Sequence, residues 1–128
     1  MSEWLLVYEG FDPQQEGLRE AICALGNGYF VTRAAAPEAV ADDVHYPGTY
    51  VAGVYNRLSS EVSGRVVHNT SLVNVPNWLP LTFRADGGPW FGTPGTEVLV
   101  HRLELDMLRG VLTRQSRLRD PEGHTVRV

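Results

Sequence analysis

The chain has one cysteine, no lysine and no long apolar run. Because Cys23 is the single cysteine among 128 residues, an internal disulfide is excluded and a reducing compartment, the cytoplasm, is expected. No apolar stretch approaches the length that spans a bilayer, and the first residues lack the positive and apolar segments of a signal peptide. We therefore expect a soluble cytoplasmic chain of one domain, since 128 residues are too few for two.

The motifs of common enzyme classes are also missing. The sequence contains no G-x-S-x-G, C-x-x-C, H-E-x-x-H, phosphate loop or dinucleotide fingerprint. Its four histidines are far apart and show no ligand spacing, so no metal site is expected. Glu104 and Asp106 fall about 7 Å apart on one face of a predicted strand, but acids opposite an apolar strand face are usually solvent-facing. We expect no catalytic residue and no cofactor in this chain.

The charge balance argues against a nucleic-acid partner. The formal net charge is −4, and all 11 basic residues are arginines. The arginines that cluster between Arg102 and Arg127 alternate with core-type residues along predicted strands, unlike a basic nucleic-acid patch. We expect them on a solvated strand face or on a face that docks against another domain.

Short strands separated by turn residues dominate the pattern. Runs of this kind, spaced 8–12 residues apart, predict an all-β fold, an antiparallel β-sandwich, with one short helix. A turn-rich connection is predicted for Ser59–Gly64. The predicted strands are Trp4–Tyr8, Tyr29–Arg33, Tyr50–Tyr55, Arg65–His68, Ser71–Val75, Leu79–Ala85, Glu97–Met107, Val111–Arg119 and His124–Val128.

The helix is predicted over Gly17–Leu25, where residues 18, 21, 22 and 25 form an apolar face. Cys23 is predicted to be a buried, inert thiol on that helix. The following Gly26-Asn27-Gly28 could adopt positive φ at up to three successive positions. Arg33 and Arg114 are expected to form buried ion pairs rather than phosphate contacts.

Aromatic and amide side chains supply the candidate binding residues. The segment HYPGTYVAGVYN, residues 45–56, interleaves three tyrosines with glycine and proline, and an Asn-Trp pair lies between two prolines further along. Rings with polar tips suit core packing, a domain interface or a sugar-binding platform, and all three roles stay open. The candidates are Asn27, Tyr46, Tyr50, Tyr55, Asn56, Asn77 and Trp78.

These motifs, in this order, resemble the amino-terminal domain of glycoside hydrolase family 65. The family contains the maltose, trehalose, kojibiose and nigerose phosphorylases and the acid trehalases. The resemblance extends from Trp4 to about Arg127, with Ala34 departing from the glycine usual in the family. It rests on Tyr8-Glu9-Gly10-Phe11-Asp12-Pro13, Leu25-Gly26-Asn27-Gly28-Tyr29-Phe30, residues 45–56, Val75-Pro76-Asn77-Trp78-Leu79-Pro80 and Gly110-Val111-Leu112-Thr113-Arg114.

The resemblance implies a β-sandwich that is part of a galactose-mutarotase-like supersandwich. Residues 1–128 would form an incomplete amino-terminal domain, with the catalytic (α/α)6 barrel of the parent enzyme absent. The parent reaction implied is inverting phosphorolysis of an α-linked glucose disaccharide, with inorganic phosphate as co-substrate. The implied partners are the barrel and an α-glucoside disaccharide, and a homo-oligomer is compatible with an exposed interface. The alternative is an autonomous β-sandwich that binds carbohydrate or a protein.

Overall fold

The computed structural model describes residues 3–128, which form nine strands and one helix. The helix, α1, is Pro13–Ile22. The strands, in chain order, are β1 Leu5–Glu9, β2 Leu25–Gly26, β3 Phe30–Thr32, β4 Thr49–Val51, β5 Tyr55–Val62, β6 Arg65–Leu72, β7 Glu97–Asp106, β8 Val111–Arg119 and β9 Thr125–Arg127.

All strand pairings are antiparallel and they make three sheets. The largest has the order β1-β7-β8-β9, the second β2-β3-β4, and the third is the hairpin β5-β6. The predicted all-β class, with antiparallel sheets and one short helix, is confirmed for residues 3–128. Within the same range no helix has the length and apolar character that crossing a membrane requires.

The small core lies on one face of the four-stranded sheet. Leu103 and Leu105 of β7 are buried there with Cys23 and Ala34. Leu6, Tyr8, Leu25 and Leu112 pack around them. Side chains alternate along a strand, so Arg102 and Glu104 lie on the opposite face. The predicted alternation of β7 is confirmed over residues 101–106, whereas a bulge interrupts the pairing between Val98 and Val100. Cys23 is buried as expected.

Helix α1 begins earlier than the sequence pattern predicts. Asp12 is its N-cap: its Oδ1 accepts from the Gln14 amide at 3.0 Å, and Pro13 occupies the first turn. The helix ends at Ile22, with Cys23 as C-cap. An acceptor side chain followed by proline strongly indicates the start of a helix. The acceptor bonds one of the free backbone amides of the first turn, and proline has no amide hydrogen that needs a partner.

The predicted apolar face of the helix is wrong. Leu18 and Ile22 are 56% and 47% exposed, whereas Glu16 and Glu20 are each 1% exposed. The physical reason is the set of partners that the carboxylates find there: Arg33 and His45 from neighbouring segments pair with Glu20, and Arg19 pairs with Glu16. Burial of a carboxylate requires such partners, so tertiary context decides which face turns inward.

Three predictions about strands and turns are also wrong. Ser59–Val62 belongs to β5, and only Ser63 and Gly64 form the turn, both at positive φ. Leu79–Ala85 is not a strand: its one pairing is the isolated bridge between Arg84 and Trp90. Alternation alone does not make a strand without a partner, and Pro80 offers no amide to one. The two pieces Arg65–His68 and Ser71–Val75 are largely one continuous strand, β6.

In the Gly26-Asn27-Gly28 turn, only Gly28 has positive φ, at 88°. Gly26 is required for a different reason. A Cβ there would lie 2.9 Å from the carbonyl oxygen of Phe30 on the neighbouring strand. The turn thus uses positive φ at one of the three positions that the sequence allows, and close backbone approach explains the first glycine.

Candidate binding surface and buried charge network

Asn27 and Trp78 line one cavity of about 440 Å³, which we call the tryptophan cavity. Trp78 is 64% exposed, and its indole Nε1 donates to Thr32 Oγ1 at 3.0 Å. The Phe30 ring meets the indole edge to face, with centroids 6.5 Å apart. The cavity is otherwise largely apolar, and its remaining lining includes Cys23, Leu25, Ala34, Pro37, Leu79, Leu112 and Arg114.

The amide oxygens of the candidate asparagines serve the backbone. Asn27 Oδ1 accepts from the amides of Tyr29 and Phe30 at 3.0 and 3.2 Å. Asn77 Oδ1 accepts from the Leu79 amide at 3.2 Å. Both side chains therefore fix turns, as short amide side chains commonly do. Asn77 does not line the tryptophan cavity, although its neighbour Trp78 does.

Tyr46 and Tyr50 form a second group around Arg33. The Arg33 guanidinium lies 5.2 Å from the centre of the Tyr46 ring, and its Nε donates to the Tyr46 carbonyl at 2.6 Å. Burial, with the neighbouring Tyr46 hydroxyl, raises the pKa of Tyr50. Gly48 is buried between them, since a Cβ there would lie 3.0 Å from the Tyr50 hydroxyl. These contacts are packing contacts.

Tyr55 and Asn56 lie apart from both groups, at the start of the exposed hairpin. Tyr55 is 59% exposed and pairs with Leu72 in the β5–β6 register. Every residue of β5 and β6 is exposed. The seven candidates therefore divide among the tryptophan cavity, the Arg33 group, the hairpin and a separate turn at Asn77, and they do not form one patch.

A buried charge network is the feature that sequence reasoning missed. Glu20 accepts from the Tyr46 amide at 2.9 Å, and its other oxygen lies 2.8 Å from His45 Nδ1. The Arg33 guanidinium is 3.8 Å away. The hydrogen bond to Glu20 raises the pKa of His45. Arg33 thus forms the ion pair expected of it.

A second half of the network is centred on Glu16. Its carboxylate pairs with Arg19 at 3.0 Å and lies 3.9 Å from His101 Nε2. Burial, with the nearby Arg114 and Arg19 guanidinium groups, lowers the pKa of His101 to about 4. His101 lies on the buried face of β7 with Leu103 and Leu105 and is 4% exposed.

Arg114 lies between the charge network and the tryptophan cavity. Its guanidinium donates to the Ala34 carbonyl, lies 3.5 Å from His101 Nε2 and lines the tryptophan cavity. Burial lowers the pKa of its guanidinium, but an arginine stays charged at any relevant pH. Arg114 is held by a carbonyl and a histidine, whereas a direct buried ion pair had been expected. The i, i+4 spacing of Glu16 and Glu20 was the available signal for this network, because it places both carboxylates on one helix face.

The carboxylates on the outer face form ordinary surface ion pairs. Glu104 accepts from Arg102 at 2.7 Å, and Arg102 also contacts Glu9. Asp106 accepts from the Arg109 amide at 3.0 Å. Exposed pairs of this kind contribute little to stability, and neither Glu104 nor Asp106 lines one of the two cavities.

One turn brings together groups that could hold a divalent ion. Ligand atoms of Asp120, Glu122 and His124 lie within 4.8 Å of one another. The group is, however, internally satisfied: Asp120 accepts from both the amide and the Nδ1 of His124, each at 2.8 Å. It closes the β8–β9 hairpin, whose turn the sequence pattern predicts.

A family model for the amino-terminal domain of glycosyl hydrolase family 65 matches residues 6–128. The chain belongs to this family. The resemblance that the motifs indicate is therefore confirmed over nearly the whole chain.

The chain is similar in sequence to segments of several longer proteins. An uncharacterized glycosyl hydrolase of Mycobacterium tuberculosis is 56% identical over 94% of this chain and 9% of its own length. The trehalose 6-phosphate phosphorylase of Lactococcus lactis is 44% identical over 59% of this chain and 10% of its own length. The kojibiose phosphorylase of Caldanaerobacter subterraneus is 29% identical over 99% of this chain and 15% of its own length. The chain thus spans 9–15% of these family 65 relatives.

Proposed function

We propose that this chain is a non-catalytic amino-terminal domain of an α-glucoside phosphorylase or hydrolase, whose activity belongs to a separate (α/α)6-barrel domain. The observation that carries the proposal is the family 65 match over residues 6–128, in a chain that spans 9–15% of its relatives. Two of those relatives are named as phosphorylases of glucose disaccharides or their phosphates. The parent reaction is accordingly proposed as inverting phosphorolysis with inorganic phosphate as co-substrate, in the cytoplasm and without an organic cofactor.

The surface proposed to dock on the barrel surrounds the tryptophan cavity. Phe30 and Trp78, which line the cavity, are 40% and 64% exposed, and Tyr29, which precedes Phe30 in the chain, is 78% exposed. Large exposed rings beside an apolar cavity are typical of a surface that another domain covers. Indole and phenol rings also tolerate a wet interface, because each has a polar tip.

The test compares dye binding and mass of the isolated chain and two variants. We expect the chain to bind an apolar dye and to self-associate in light scattering, and Trp78→Ala to reduce both. Leu58→Ala is the matched control, since Leu58 is 62% exposed on the hairpin while Trp78 is 64% exposed at the cavity. A monomer without dye binding, or equal effects of the two variants, would contradict a docking surface at Trp78.

The second candidate function is an autonomous carbohydrate-binding or protein-interaction module. It is favoured by the volume of the tryptophan cavity, about 440 Å³, which is within the usual range for small ligands. An exposed indole beside an asparagine could stack on a sugar and bond its hydroxyls. This candidate predicts a stable monomer that binds a disaccharide and loses that binding in Trp78→Ala. Disaccharide binding that Trp78→Ala leaves unchanged would contradict this second candidate function.

A further inference from the structure

A second cavity lies on the other side of Arg114 and has no part in the proposed function. Its volume is about 460 Å³, and it lies among residues 36–42, residues 92–96 and strands β7 and β8. This volume falls within the range of about 300–1,000 Å³ that small-molecule sites occupy. We call it the histidine cavity; its lining includes Phe11, His45, Thr96, His101, Arg114 and Ser116.

Two imidazoles in fixed orientations line the histidine cavity. His45 Nδ1 donates to Glu20 at 2.8 Å, so its Nε2 accepts a hydrogen bond when the imidazole is neutral and donates one when it is protonated. His101 Nδ1 lies 3.3 Å from Ser116 Oγ, and its Nε2 faces the Arg114 guanidinium at 3.5 Å. Because a guanidinium only donates, His101 Nε2 is the acceptor in that contact. His101 Nε2 therefore has a fixed acceptor role, whereas His45 Nε2 can bond a hydroxyl group either as acceptor or as donor.

Thr96 adds an unsatisfied hydroxyl to the same lining. Its Oγ1 is the one buried side-chain polar atom in the described part of the chain that has no hydrogen-bond partner. A buried polar group without a partner is costly, and such groups in native structures call for an explanation. A bound molecule with its own hydroxyls would supply that partner when the threonine side chain turns toward it.

Aromatic rings form a wall for a ligand with an apolar face. The Phe11 ring centre is 6.2 Å from that of His45 and 6.0 Å from that of His101. Val98 and Leu118 line the cavity as well. A ring molecule with hydroxyl groups at its edge and C–H bonds on its faces would match rings and polar groups together.

The charges around the histidine cavity disfavour an anion. Arg114 brings one positive charge, but Glu38 and Asp42 also line the cavity. Backbone hydrogen bonds from His45 and Val44 lower the pKa of Asp42, so its carboxylate remains ionised. The positive side chains that face this region from helix α1 and its neighbours, Arg19 and Arg33, are already paired with Glu16 and Glu20. An entering phosphate would meet more negative than unpaired positive charge.

We propose that the histidine cavity binds a neutral polyhydroxylated molecule of monosaccharide size. The His45 ring and the Thr96 hydroxyl bond its hydroxyl groups, and Phe11 packs on its apolar face. This site is distinct from the tryptophan cavity, and it stands or falls independently of how the chain docks on a catalytic domain.

The experiment is an NMR titration of the imidazole signals with three probes: glucose, myo-inositol and inorganic phosphate. We expect glucose or inositol to shift the His45 and His101 signals with a Kd of about 1–10 mM, while phosphate has no effect. Thr96→Val should weaken binding about two- to tenfold, the value of one neutral hydrogen bond. This variant replaces an unpartnered hydroxyl by a methyl group, so it should fold at least as well as the parent chain. Leu58→Ala is the control and should bind as the parent does, because Leu58 is exposed on the hairpin and lines neither cavity.

Three results would overturn the proposal. The first is the absence of any shift with both neutral probes. The second is tighter binding of phosphate than of either neutral probe. The third is binding that Trp78→Ala removes and Thr96→Val leaves unchanged, which would move the ligand to the tryptophan cavity. None of these results bears on whether the chain is a non-catalytic domain.

Discussion

Acid should destabilise this chain through His101, whose side chain is buried beside Arg114. Burial and the two nearby guanidinium groups hold its pKa at about 4, against 6.5 for an ordinary histidine. A group whose pKa is lowered by folding stabilises the native state above the unfolded value, and the stabilisation is lost as the pH falls through the folded value. The loss begins near pH 6.5 and reaches about 2 kcal/mol at pH 5 and about 3 kcal/mol below pH 4.

The assay is the free energy of unfolding in guanidinium chloride between pH 7.5 and 5. His45 acts in the opposite direction, because Glu20 raises its pKa and its contribution is lost as the pH rises. The parent chain alone therefore reports a sum, and the difference between the parent and His101→Gln isolates the buried imidazole. We expect the parent to lose about 2 kcal/mol more than His101→Gln over this interval.

His68→Gln is the matched control, since His68 lies on the exposed hairpin and contacts only Ser59 Oγ, at 2.9 Å. Its profile should run parallel to that of the parent. Parallel profiles for the parent and His101→Gln would refute the reasoning. If the glutamine variant fails to fold, the NMR titration of His101 in the parent decides: a midpoint near that of an ordinary histidine refutes it equally.

Two further substitutions test the network and the backbone. Glu20→Gln should cost about 2–3 kcal/mol of unfolding free energy, because charged hydrogen bonds are lost at a buried site, and it should lower the pKa of His45 in an NMR titration. Glu61→Gln, on the exposed hairpin, should change stability by less than about 0.5 kcal/mol. Gly92→Ala should lower the melting temperature of the chain more than Gly53→Ala does. Both glycines have positive φ, but a Cβ at Gly92 would lie 2.5 Å from the Glu38 carbonyl oxygen, whereas a Cβ at Gly53 would meet nothing within 4 Å. Equal costs at the two glycines would show that the close contact is relaxed.

Elements with two consistent local signals were predictable from the sequence. Strands β7 and β8 combine side-chain alternation with the turn that ends at Gly110, and Gly110 adopts φ 64° there. The last hairpin has a proline-glycine turn, Asp120–Gly123, and β9 follows as predicted. The fold class follows from these features because long antiparallel neighbours are specified by pattern and turn together.

The remainder depends on contacts between distant residues. Helix α1 turns Glu16 and Glu20 inward because His45, Arg33 and His101 meet them there, and no local pattern reports that meeting. Alternation predicts a strand at residues 79–85, but no strand among residues 3–128 lies beside it to complete the pairing.

The site residues illustrate the same limit. Residue type marks the aromatic and amide side chains as candidates for binding, but it does not show which of these residues share a cavity. Asn27 and Trp78 do so although they are far apart in sequence, because Trp78 reaches Thr32 of β3. The histidine cavity was missed entirely, since its histidines lack the spacing that marks a functional motif.

The most direct test of the domain assignment is the phosphorolysis activity of the gene's complete translation product, compared with that of residues 1–128 alone. Both are incubated with inorganic phosphate and kojibiose, maltose, trehalose or trehalose 6-phosphate, and β-glucose 1-phosphate is measured. We expect a longer product that carries a barrel domain to release it, and the isolated chain to release none. A reading frame that ends at Val128, or turnover by the isolated chain at the rate of the complete product, would contradict a non-catalytic amino-terminal domain.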